Sequence, residues 1–215
     1  WRGWAWWLGM GVGVSSVGVG VWGMVLHLDS QFFVEQTLEN LVYTAPVAAP
    51  LAYTGLGLLV MMTRMVDPDS VEWAKWVVLL AWGGWVGNFV LALADHAQNG
   101  FFNPLEWVAV IAAAIAVGVL IVPMVIRVRR GYIWLALAVM VVQAGVGTLG
   151  FVLHGWANLE GPADSLWDNF VWGAPIFAPL LFANLAMLAA IGLWGLLRNG
   201  ATVEESANAM PAPSV

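Results

Sequence analysis

The chain has 215 residues, of which 61% are hydrophobic and 9% charged, with no cysteine and a net charge of −6. A water-soluble domain carries about 25% charged and about 45–50% apolar residues, so a fold of this size must leave apolar surface that only lipid can cover. The missing cysteines exclude disulfides, iron–sulfur clusters and thiolate-bound metals. There is also no Gly-rich phosphate loop, serine elbow, HExxH motif or basic face for nucleic acid.

Six apolar segments follow one another, each near the roughly 20 residues that a membrane-spanning helix needs. The first, Trp4–Leu28, is too long for the apolar region of a signal peptide and has no small-residue cleavage site, so it reads as a retained span. Its small residues Gly9, Gly11, Gly13, Ser16, Gly18 and Gly20 allow close approach of another helix, in this chain or in a second subunit. The second is Leu41–Met65 and the third Trp73–Ala94. The fourth is Leu105–Ile126, the fifth Tyr132–His154 and the sixth Val171–Leu197. Together they predict an all-α integral membrane protein, one transmembrane domain over 1–198. The tail 199–215 holds Glu204, Glu205 and two prolines with little apolar content, a composition that predicts disorder.

Orientation follows from charge. With six spans, Arg2, Arg64, Lys75, Arg127, Arg129, Arg130 and Arg198 fall on one side, and they are all of the chain's Lys and Arg. The positive-inside rule then places both termini in the cytoplasm of a plasma (inner) membrane protein. The opposite side carries Asp29, Glu35, Glu39, Asp95, Glu106, Glu160, Asp164 and Asp168, an acidic rim that attracts cations or a basic partner. Tryptophans at the predicted interfaces, Trp4, Trp6, Trp7, Trp73, Trp76, Trp107, Trp134, Trp156, Trp167 and Trp172, read as belt anchors in the bilayer, whereas Trp22, Trp82 and Trp85 lie deeper.

Two stretches repeat. Residues 39–51 read ENLVYTAPVAAPL and residues 168–180 read DNFVWGAPIFAPL, matching without a gap at Asn, Val, Ala, Pro, Ala, Pro and Leu. Each sets a carboxylate in the first turn of a helix, where the dipole favours it. Each then places two prolines four residues apart, Pro46/Pro50 and Pro175/Pro179, which predicts kinked helices. The preceding helices end in Val-Leu-His at His27 and His154, and the third ends at His96. An acid opens the next helix each time, as Glu39, Asp168 and Glu106 respectively. This pattern predicts three outward-facing hairpins, with the first and last closely related and the middle one, Asn103-Pro104-Leu105-Glu106, a weaker copy.

His27, His96 and His154 are the only histidines. Imidazole binds transition metals and serves as an axial haem ligand, and Glu39, Glu106 and Asp168 complete a mixed nitrogen–oxygen donor set or orient the imidazoles. The competing reading is that each histidine caps a helix C-terminus at headgroup depth. Asn88, Gln143 and Asn184 are the polar residues within the spans; they serve as interhelical hydrogen-bonding groups or line a quinone pocket. Met24, Met61, Met62 and Met65 read as packing rather than copper ligands. Two functions stay open: a redox-associated electron-transport subunit with metal or haem at the outer His/carboxylate cluster, or a non-catalytic subunit packing with other membrane subunits. No reaction is named by these residues.

Overall fold

The structure, a computed structural model, describes residues 3–43 and 49–208, and these are helical with no strand among them. In chain order the helices are α1 (Trp4–His27), α2 (Leu38–Tyr43), α3 (Leu51–Met65), α4 (Val71–Gln98), α5 (Glu106–Val125), α6 (Arg130–Leu159), α7 (Leu166–Trp172) and α8 (Leu180–Asn208). Five of them, α1, α4, α5, α6 and α8, are long and apolar enough to cross a membrane. Helix is the form that satisfies every backbone group within its own segment, which lipid requires. Helix α3 has 15 residues, a rise of about 22 Å against about 30 Å of hydrocarbon.

The ends of these helices are set locally. Ser70 caps α4 by accepting from the Trp73 amide at 3.1 Å, and Ser165 caps α7 by accepting from the Asp168 amide at 3.1 Å. Helix α4 ends in a reversal at Gly100 (φ 71°) and Phe101 (φ 50°), with the Phe101 amide donating back to the His96 carbonyl. Pro123 inside α5 removes the donor that the Val119 carbonyl would otherwise meet. The Tyr132 hydroxyl of α6 donates to that carbonyl at 2.9 Å instead.

The second proline pair interrupts its helix rather than kinking it. Helix α7 stops at Trp172, residues 173–179 form bends and turns, and α8 starts directly after Pro179. In the first copy residues 44–48, Pro46 among them, lie outside the described residues, and α3 starts directly after Pro50. Two prolines four residues apart withdraw two amide donors and bias each preceding residue away from helix, which ends the segment. Helix α8 also continues to Asn208, through residues for which composition predicts disorder.

Helices α4, α5, α6 and α8 form a ring of four, each packed on two others, in the order α4–α8–α6–α5. Its centre holds Trp85, Leu120, Met140 and Leu193, each at most 2% exposed, with Ala74, Ala81, Ala113 and Ala116 keeping the helices close. Trp85 stands edge-on to Phe182 with ring centroids 5.2 Å apart. Gln143 is buried and donates to the Ala112 carbonyl at 2.7 Å, joining α6 to α5. Asn88 is buried too, whereas Asn184 lies on the exposed side of α8, against the expectation of an interior place. Helix α1 packs on α3, and this pair meets the ring through α2 and α3 against α4.

Candidate functional site

His27 ends α1 and His96 lies in the last turn of α4, whereas His154 lies five residues before the end of α6, which continues to Leu159. At the end of α4, His96 Nδ1 lies 3.5 Å from Glu106 Oε2, the two side chains being 16% and 10% exposed. The reversal at Gly100 and Phe101 produces this pairing by bringing the first turn of α5 back beside the last turn of α4. Glu106 Oε1 accepts from the Asn103 amide at 3.3 Å, and Asn103 Oδ1 accepts from the Leu105 amide at 3.0 Å. Oε2 is buried and accepts no hydrogen bond. Over the pair lies a short aromatic stack: Phe101 is parallel to Trp107 with centroids 4.0 Å apart, and tilts towards His96 at 6.3 Å.

His154 Nδ1 stands 3.0 Å from the carbonyl oxygen of Pro175. A carbonyl only accepts, so Nδ1 carries the proton and, in the neutral ring, Nε2 keeps the lone pair. Its hairpin is tied by two further side chains. Asn158 donates to the Ala174 carbonyl at 2.8 Å. Asn169 donates to the Gly161 carbonyl at 3.2 Å and accepts from the Ala163 amide at 3.0 Å. Asp168 is held in the cap of α7, its Oδ2 accepting from the Ser165 hydroxyl at 2.9 Å. In the first hairpin, Asn40 donates to the Glu35 carbonyl at 2.9 Å, as Asn169 does to its own loop. His27 is half-buried at the end of α1, and Glu39 is exposed in the first turn of α2.

Among the described residues the structure brings together His96 and Glu106 of the six predicted ligands. Among the described residues no three His, Asp or Glu side chains gather closely enough to hold a metal ion. Each acid follows its histidine in sequence by a loop of similar length, but the loops place them differently. Asp168 is turned into a helix cap, whereas Glu106 is turned onto the imidazole.

The first and last hairpins share a joint that sequence inspection missed. A Cβ on Gly20 would stand 2.8 Å from the Pro50 carbonyl oxygen, and one on Gly23 would stand 2.9 Å from Pro50 Cβ. A Cβ on Gly147 would stand 2.7 Å from the Pro179 carbonyl oxygen, and one on Gly150 would stand 2.8 Å from Pro179 Cβ. In both places the histidine follows the second glycine by four residues. The signal was present as Gly-x-x-Gly-x-x-x-His, at 20–27 and 147–154, but glycines are common in this chain and the spacing gains meaning only beside the proline. No protein-family model, no curated protein and no solved structure matches the chain.

Proposed function

We propose that this chain is a six-span protein of the inner membrane, both termini cytoplasmic, that serves as a non-catalytic subunit of a larger membrane assembly. Helix α3 would be the sixth crossing, although its 15 residues are short for one. One-sided Lys and Arg support the span count, and the shared glycine–proline joint supports an internal duplication of the outer hairpins. The observation that carries the subunit reading is the flank of α1. Its buried residues are Gly9, Gly13 and Gly20, while Leu8, Val12, Val19, Trp22 and Leu26 are all more than half exposed. A helix whose packing face is glycine and whose other faces carry large apolar side chains suits insertion between neighbours and lipid.

Two measurements test this. Cysteines at Gln31, Asn99 and Asp164 are expected to react with an impermeant maleimide in intact cells, and cysteines at Asp69 and Arg127 to be protected; any reversal breaks the six-span topology. Extraction from native membranes in mild detergent is expected to yield an assembly larger than the chain, containing other polypeptides. A monodisperse single chain would overturn the subunit reading.

A redox site is the second reading, supported by His154. An imidazole whose Nδ1–H is held by a carbonyl has the arrangement that metal-binding histidines use. His96, beside Glu106, would contribute a further nitrogen, with the remaining ligands from a partner chain; haem, a transition metal or a nearby quinone are the cofactors it would serve. Visible absorption and metal content of the isolated assembly distinguish the readings. Haem bands or a stoichiometric metal that His154→Ala abolishes would favour redox function.

A further inference from the structure

The end of the molecule opposite the histidines carries a second feature. Between the first turns of α4 and the last turn of α5 lies an open-sided cleft of about 260 Å3, lined by Glu72, Lys75, Trp76, Leu79 and Met124. It is smaller than the usual enclosed ligand pocket of about 300–1,000 Å3, so its occupant must extend out of it. Its walls are graded along the helix axis. Lys75 and Glu72 form the rim, Trp76 stands half in and half out, and Leu79 and Met124 make an apolar floor.

Two observations identify the chemistry of the occupant. Lys75 and Glu72 are one helical turn apart, yet the ion pairs among the described residues are His96–Glu106 and Asp69–Arg198. The exposed ammonium is thus left over the cleft rather than neutralised by its neighbour. Second, the chain leaving Met124 reaches Arg127 within three residues, at most about 11 Å, and continues to Arg129 and Arg130. All three are exposed, and no acid occurs between Glu106 at the far end of α5 and Glu160. Asp67 and Asp69, in the preceding connection, are the other nearby carboxylates, and Asp69 is paired with Arg198. The balance at this rim is positive, directly above an apolar slot.

We propose that this cleft binds one anionic phospholipid, phosphate against Lys75 and the arginine turn, glycerol against the Trp76 indole, and one acyl chain along Leu79 and Met124. The inference rests on the helices spanning a bilayer, not on the subunit reading. Basic pockets between membrane helices suit anionic headgroups, and an interfacial indole suits the boundary between head and tail. A flexible thioether conforms to a mobile chain.

The full-length protein in neutral detergent, mixed with short-chain phosphatidylglycerol, phosphatidylcholine or inorganic phosphate, tests it by native mass spectrometry and thermal melting. One phosphatidylglycerol is expected to be retained and to raise the melting temperature, with phosphatidylcholine and inorganic phosphate inert. Lys75→Ala should weaken retention about fivefold, the effect of one headgroup cation, and Met124→Trp should block the slot. Glu72→Gln should strengthen retention, a gain that no folding defect imitates. Equal retention of phosphatidylcholine, equal stabilisation by inorganic phosphate alone, or indifference to both Lys75→Ala and Glu72→Gln would each overturn the proposal. Thiol labelling of the loops reports independently on the topology beneath it.

Discussion

The hairpin α1–α3 and the hairpin α6–α8 are built on the same joint but live in different surroundings. In each, two glycines three residues apart press on a proline that opens the next helix, and a histidine follows four residues on. Beyond the joint they diverge. Helix α8 is packed on α6 along one side and α4 along the other, burying Phe182, Leu185, Ala186, Ala189 and Leu193. At the matching positions of α3, Tyr53 and Leu56 are 56% and 57% exposed. The joint is made within each hairpin, between one helix and the start of the next, whereas burial is decided by whether another helix arrives on the second side.

The sharpest way to break that comparison is to add one carbon to the joint. Gly147→Ala and Gly20→Ala both drive a Cβ into a backbone carbonyl, a clash of the kind that costs about 1–3 kcal/mol or more. Gly147→Ala should cost more, because α8 is backed by α4 and cannot retreat, while α1 can move outward. Melting in a fixed detergent reads the difference, and an equal or reversed order would mean that α1 is as constrained as α6. Next, Phe182→Ala should destabilise clearly and Tyr53→Ala by less than about 0.5 kcal/mol. The Phe182 loss should fall short of the about 3–5 kcal/mol seen in water-soluble cores, since lipid tails are as apolar as the cavity they would replace.

Gln143→Leu removes the α6-to-α5 hydrogen bond and an unpaired buried oxygen together. Interhelical polar contacts in membranes average about 0.6 kcal/mol, and deleting the orphan oxygen offsets part of that, so the melting temperature should move by only a few degrees. A large loss would show that a further polar contact depends on this residue. The smallest effect is expected from Asp69→Asn, which breaks the ion pair with Arg198. Both side chains are well over half exposed, and such pairs contribute about 0–1 kcal/mol, less as salt rises. A salt-independent loss would place the pair in a more enclosed setting.

Much of the architecture could be read from the residues alone. Apolar run length located α1, α4, α5 and α6 to within about five residues, because a helix in lipid has no alternative for its backbone groups, whereas the sixth segment, read from Val171, becomes helix α8 only at Leu180. Where that reading failed, the cause was a competition that composition does not resolve. Paired prolines suit both a kink and an interruption, and the chain takes the interruption after Trp172. Asn184 looked interior because it is polar and mid-span, yet the interior face of α8 is filled by Phe182, Leu185 and Ala186. At the histidines, sequence placed each imidazole at a helix end and each acid a loop away, which is a statement about the chain and not about space.

Sequence by itself therefore determined the all-helical class, five long apolar helices compatible with a membrane, and the recurring histidine-turn-acid pattern along the chain. These follow from local physics: hydrophobicity over about 20 residues, and proline, glycine and capping chemistry over a few. Tertiary structure alone decided that Glu106 meets His96 while Asp168 caps α7, and that α8 is enclosed while α3 is not. It also decided that no three of these side chains converge among the described residues. Those outcomes depend on the reversal at Gly100 and Phe101, the hydrogen bonds that pull each loop onto its own hairpin, and the order in which α4, α8, α6 and α5 close their ring. Each joins residues far apart in sequence, and only their packing together selects the pairing.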